Sequence, residues 1–221
     1  MPNSITTIES RCFDSDYCLS SINLENVQTI GSSCFSQCGQ LSSVNLSNLT
    51  TVYNDAFSRT GLTTVTLNPS LSILPNYCFY SCSSLSSINL ENVTTLGGSC
   101  FAYCTSLESI SLNSSLTTIP ICCFSGTKLA SVEIPSTVTA ISSSAFNTNT
   151  LKTLTMYDVN TINVSSNGLP YLTDIYYRSY TPGKTASDLE TEYSTRYGSN
   201  NYLKPTASRT VHYVPYEDWN V

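Results

Sequence analysis

LPNYCFYSCSSLSSINLENVTT, from Leu74 to Thr95, runs straight into LGGSCFAYCTSLESISLNSSLTT, from Leu96 to Thr118. Laid one under the other, they share the frame I/L-x-x-x-C/A-F-x-x-C-x-x-L-x-x-I/V-x-L. The frame recurs outward in both directions, and its phenylalanine marks each copy: Phe13, Phe35, Phe57, Phe79, Phe101, Phe124 and Phe146. The spacing is 22 residues at every step but one, where it is 23. Such a period means one structural unit, copied and stacked. Seven full units start at Ile8, Ile30, Val52, Leu74, Leu96, Ile119 and Ile141. An eighth, weaker unit starts at Ile162 and ends with Leu172, Ile175 and Tyr177.

Within a unit, Leu85, Ile88 and Leu90 form an L-x-x-I-x-L segment, as do Leu41, Val44 and Leu46, and Leu107, Ile110 and Leu112. Alternation with period two puts the last two apolar residues on one side of a strand. The C-F-x-x-C-x-x-L piece spaces its apolar residues by three and four, which predicts a short helical turn. A strand and a turn repeated at this period cannot form a hairpin, so each strand lies parallel to its predecessor in a coil. Each Phe is then expected above the Phe of the previous coil, in an aromatic spine. Loops after the strand come in two lengths, NLENVQTI (Asn23 to Ile30) and TLNPSLSIL (Thr66 to Leu74). Eight units at ~4.8 Å each make a sheet roughly 35–40 Å long.

Of the 221 residues only 11% are charged, and the net charge is −6. From Met1 to Ile110 the only cations are Arg11 and Arg59. With no basic patch, binding to nucleic acid or to an anionic membrane surface is not expected. No apolar run approaches a membrane span, and no signal peptide is evident. MPNSITTI (Met1 to Ile8) matches IPSTVTAI (Ile134 to Ile141) position for position. It reads as the back half of a long-loop unit, as expected of a chain cut from a longer protein or, alternatively, of a natural half-cap; a cut would leave an open apolar edge that favours self-association.

Past Arg178 the repeat fades. Ser187 and Glu190 read as a capping box before a short helix, with Leu189, Tyr193 and Tyr197 on one face and Gly198 at its end. TVHYV (Thr210 to Val214) alternates as a strand. The expected organisation is a solenoid over residues 1–177 and a cap over 178–221. Tyr176, Tyr177, Tyr180, Tyr193, Tyr197, Tyr202, Tyr213 and Tyr216 make this tail rich in tyrosine.

The A/C-F-x-x-C-x-x-L-x-x-I-x-L frame, in seven copies over Ile5 to Tyr177, resembles the BspA-like leucine-rich repeats of bacterial and protist surface proteins. VHYVP (Val211 to Pro215) resembles the Y-V-P segments that often end such arrays. Ala56 and Ala145 replace the Cys before Phe, and Thr60 replaces the later Cys. The resemblance implies an α/β solenoid, a right-handed coil with one parallel sheet on the concave face and short helical turns on the convex face. It also implies adhesion or protein binding at a cell surface, with no catalytic motif.

No catalytic, cofactor or metal constellation emerges. Cys12, Cys34, Cys78, Cys100 and Cys123 precede the spine Phe, while Cys38, Cys82 and Cys104 follow it by three. A slot shared by Cys and Ala reads as small and buried, so free thiols are expected rather than disulfides or zinc ligands. His212, the lone histidine, falls in the cap strand, where a capping or surface role outweighs a Cys–His pair. Glu25 and Glu91, three coils apart, stand ~14 Å from each other, too far for two-carboxylate hydrolysis. N-x-[ST] sites at Asn45, Asn48, Asn92, Asn113 and Asn163 count only in a glycosylating host, and Asn26, Asn48 and Asn92 read better as turn-forming amides.

The recurrent outward positions are the candidate surface. Asn23, Asn45, Thr66, Asn89, Ser111, Glu133 and Thr155 fall in one column, beside Ser21, Ser43, Thr64, Ser87, Ser109, Ser131 and Thr153. Denser anchors lie C-terminally, at Tyr157, Tyr176, Tyr177 and Arg178. The expected role is a non-enzymatic module of a cell-surface or secreted protein, binding a host or neighbouring-cell protein or glycan. The alternative is an intracellular interaction scaffold, which the many free cysteines favour.

Overall fold

A computed structural model describes residues 4–158, 161–199 and 203–218. The Met1–Asn3 part of the MPNSITTI match and Tyr202 lie outside the described residues. The chain coils into a parallel β-solenoid of about eight turns, and neighbouring coils meet residue for residue in register. The phenylalanines stack face to face from Phe13 to Phe146, with centroids 5.3–5.7 Å apart and planes within 11°. From Phe35 onward each ring is buried; Phe13, at the first coil, is half-buried.

Two columns of short strands run along the coil, where the sequence predicts one sheet. The first contains Thr29–Ile30, Thr51–Val52 and Thr95–Leu96, with Thr outward and the aliphatic residue inward. The repeating T-T-I/L segment, read as loop, forms it. The second column comes from the predicted I-x-L segments and includes Thr64–Val65 and Ser87–Ile88. It lengthens C-terminally, where Ser131–Glu133, Thr153–Tyr157, Asp174–Arg178 and Thr210–Val214 pair in parallel in that order.

The predicted helical turns around each Phe do not form. Amides there alternate between two destinations. Ser33, Phe35 and Gln37 donate to carbonyls of Asn54, Ala56 and Ser58 in the next coil, while Cys34, Ser36 and Cys38 donate three residues back. The residues two before and two after Phe take left-handed φ, as at Ser33 (54°) and Gln37 (65°), Asp55 and Arg59, Tyr77 and Ser81, and Ser99 and Tyr103. Every N–H in this stretch therefore finds a partner, half of them between coils. A helix ~10–12 Å across cannot stack at a 5.5 Å repeat, whereas this flat ribbon can.

Fully buried Cys82 and Cys104, and Cys38, each donate a thiol to the Phe carbonyl of the preceding coil, at 3.0–3.1 Å. Thr60, in the same slot, donates its hydroxyl instead to the Phe carbonyl of its own coil, Phe57 O, at 2.9 Å. All ten cysteines are unpaired; Cys12 and Cys18 are exposed and Cys122 is half-buried. Of the turn-forming amides expected, Asn48 donates to Glu25 O in the preceding coil at 2.6 Å.

The cap helix spans Ala186–Tyr197. Its capping box is Thr185 with Asp188, not Ser187 with Glu190. The apolar face is the predicted one, with Leu189, Tyr193 and Tyr197 buried. The Tyr197 phenol accepts the Ile162 N–H at 3.1 Å, and the Tyr193 phenol donates to Leu203 O at 2.7 Å. Gly198 ends the helix in right-handed conformation, and an added Cβ there would meet Ser194 O at 2.4 Å. Among the described residues no helix is long and apolar enough to cross a membrane.

Candidate functional site

The N-terminal part of the outward column is occupied with turns. The amide oxygens of Asn23 and Asn45 accept the N–H two residues on, from Glu25 (2.9 Å) and Ser47 (3.0 Å). Asn89 accepts the Leu67 N–H of the preceding coil at 2.7 Å, just beyond exposed Thr66. These side chains hold the backbone rather than offer free recognition groups.

At the C-terminal end the column opens into a cleft of about 300 Å³. Ser111, Glu133 and Tyr157, from three successive units, line it together with Pro135, Ser136 and Tyr180. The Tyr157 phenol donates to the Glu133 carboxylate. Burial, reinforced by that acceptor, pushes the phenol well above its ordinary pKa. Tyr180 stacks on Tyr157 at 4.6 Å with planes 22° apart. Tyr157 is 5% exposed and Tyr180 is 42% exposed, so the outer ring fronts the solvent.

Buried Asp158 positions Tyr180. Its carboxylate accepts the Tyr180 N–H at 3.0 Å, the Ser179 hydroxyl at 2.7 Å and the Lys184 ammonium at 2.9 Å. Lys184 also contacts Glu192, which pairs with Arg196 one helical turn on, so the rim is tied to the cap helix.

The other predicted anchors separate. Thr155 is half-buried, in register with Glu133 on one side and Tyr176 on the other. Tyr176 stacks on His212 at 4.5 Å, and His212 Nε2 lies 2.9 Å from the Asp174 carboxylate. Arg178 is half-buried at the strand end, paired with Tyr157 and Val214. Tyr177 is no surface anchor: it is fully buried beneath the cap helix, its phenol 3.1 Å from Glu192. Alternation explains this, because Tyr177 takes the inward slot that Leu46, Leu90 and Leu112 take in other units.

The profile of the BspA type leucine-rich repeat region matches residues 1–86 and 73–177, in six copies. The chain belongs to the BspA-type leucine-rich repeat family. Similar solved structures include a leucine-rich repeat protein from Bacteroides ovatus, at 16% identity over 95% of this chain and 67% of that one, TM-score 0.48. A leucine-rich cell surface protein from Faecalibacterium prausnitzii matches at 14% over 98% and 85%, TM-score 0.40. The pneumococcal vaccine antigen PcpA matches at 17% over 94% and 70%, TM-score 0.39. The search of curated proteins finds no significant match. A leucine-rich repeat solenoid of this kind is a binding scaffold, presenting side chains from successive coils on one extended surface.

The BspA-type frame leaves some exposed features unexplained. Tyr180 lies beyond the last unit, so no periodic signal marks it. On the turn face, Tyr77 and Tyr103 hold left-handed φ of 58° and 62° with rings 44% and 50% exposed. Tyr80 stands edge-on between them, at 5.7 and 5.6 Å, and Arg59 lies 5.4 Å from its centroid. Tyrosine in the slots of Tyr77 and Tyr103, which other coils fill with small or non-aromatic polar residues (Ser, Thr, Gly, Cys, Asp, Gln or Arg), was the available signal.

Proposed function

We propose that this chain is a non-enzymatic binding module of a cell-surface or secreted protein, engaging a protein or glycan at the Glu133–Tyr157–Tyr180 cleft. The supporting observation is the convergence there of a carboxylate and two stacked rings from different coils, one ring open to solvent. Tyrosine is an enriched anchor in recognition sites. At about 300 Å³ the cleft suits one side chain or one sugar ring. Contact by one module is weak and gains from repetition in an array. The test is a screen of wild type and Tyr180→Ala against matrix proteins and glycans. Ligands captured by wild type should be lost in the variant while its melting curve is unchanged. Capture that ignores Tyr180→Ala, or none at all, sinks the reading. The intracellular scaffold has one observation in its favour, the ten unpaired thiols with Cys12 and Cys18 exposed. Locating the full gene product in cells decides between the two.

A further inference from the structure

The geometry points to a lysine or arginine side chain of a protein partner as the occupant of the cleft. This rests on the cleft being the docking site and narrows its ligand. Among the described residues of the lining, Glu133 is the only charged one. One of its oxygens takes the Tyr157 phenol, and among the described residues it makes no ion pair. Its negative charge thus stands at the cleft wall without an ion-pair partner; the Arg178 guanidinium acts on the Tyr157 phenol but does not line the cleft. Beside it stands the exposed ring of Tyr180, backed by Tyr157. A carboxylate next to an aromatic face is the pairing that receives an ammonium or guanidinium group, by charge and by attraction to the ring. The protein's field agrees: net charge is −6 with nine Lys and Arg in 221 residues, so basic partners are drawn in and acidic ones repelled. A sugar is less well served. Apart from Glu133 the polar side chains lining the cleft among the described residues are hydroxyls, with no amide or guanidinium fork to fix a ring's orientation.

The experiment titrates isotope-labelled wild-type chain with N-acetyl-arginine amide, N-acetyl-lysine amide, N-acetyl-glycine amide and a neutral oligosaccharide, following amide shifts. The two cationic amides should move signals of Ser111, Glu133 and Tyr180, and the glycine amide should not. Glu133→Gln keeps the acceptor for Tyr157 but removes the charge, and should weaken binding roughly fivefold or more. Tyr180→Leu should weaken it while leaving the salt dependence in place. Cationic amides that move none of these signals overturn the proposal, as does binding indifferent to Glu133→Gln. If the oligosaccharide alone moves them, the cation assignment fails and the cleft survives as a glycan site. If no probe does, both readings fall.

Discussion

Truncating Phe79 to alanine tests the stacked column where it is best enclosed. Phe79 is 1% exposed, with rings 5.5 Å away on one side and 5.7 Å away on the other. Removing roughly 150 Å² of buried ring forfeits about 4 kcal/mol at ~25 cal/mol/Å². Two ring contacts add about 1–2 kcal/mol, and partial collapse of the neighbours returns some of it. The expected loss is about 3–5 kcal/mol, a fall in melting temperature of roughly 6–20 °C. Phe13 supplies the internal control. It is half-buried and touches one ring, Phe35, at 5.3 Å, so Phe13→Ala should lose about 1–2 kcal/mol. Guanidinium unfolding followed by circular dichroism gives the global loss. Hydrogen exchange at the Phe57 and Phe79 amides, which bond Cys78 and Cys100 of the next coil, reports the local one. Equal losses at both sites, or a Phe79→Ala melt within a degree or two of wild type, would refute the shared column.

Other outcomes follow from single contacts. Gly97→Ala would place a Cβ 2.3 Å from backbone atoms of Pro75 and Asn76, so a loss of about 2–4 kcal/mol is expected in a thermal melt. Gly39→Ala meets nothing within 4 Å and should stay within about 0.5 kcal/mol of wild type. Burial pushes the Cys34 thiol to about 12, and those of Cys38 and Cys82 to about 11, against an ordinary 9.0. The unfolded thiols therefore ionise first; stability is full below pH 9 and falls as pH rises through 9 towards 11–12, which denaturation midpoints across that range will show. Burial alone would raise the Asp158 carboxyl, but hydrogen bonds from Tyr180, Lys184 and Ser179 outweigh it and hold it below the ordinary 3.8. Its contribution is present above that value and lost as pH falls through the depressed one, so exchange in the cap helix should speed first in acid. Asp158→Asn should cost about 2–3 kcal/mol in the cap at neutral pH, read by the same exchange.

What could be read in advance followed from repetition. Seven Phe at a spacing of 22 residues, 23 at one step, dictate the stack, and I-x-L alternation dictates the second strand column. The turn around Phe was misread because spacings of three and four fit both a helix and a ribbon of alternating handedness. Only the thickness of a coil separates the two, and spacing along a chain does not encode it. The T-T-I segment was passed over because two residues are too few to show a period. At the cleft, Ser111 and Glu133 were legible from the column, and Tyr157 from its place at the strand end. Tyr180 was not, because a buried carboxylate from another part of the chain places it. Tyr177 was legible as core from its slot and was still counted as surface for its chemistry alone.

The alternating amides of the Phe ribbon have an evolutionary consequence. Ser33, Phe35 and Gln37 face the following coil as donors, while Ser32, Cys34 and Ser36 receive Arg11, Phe13 and Ser15 from the preceding one. Every coil is thus a brick with the same studs above and the same sockets below. Excise or duplicate one whole brick, and the newly adjoining courses still fit. Losing half a brick sets stud against stud. Gene slippage in whole units can therefore lengthen or shorten the wall without redesigning its interior.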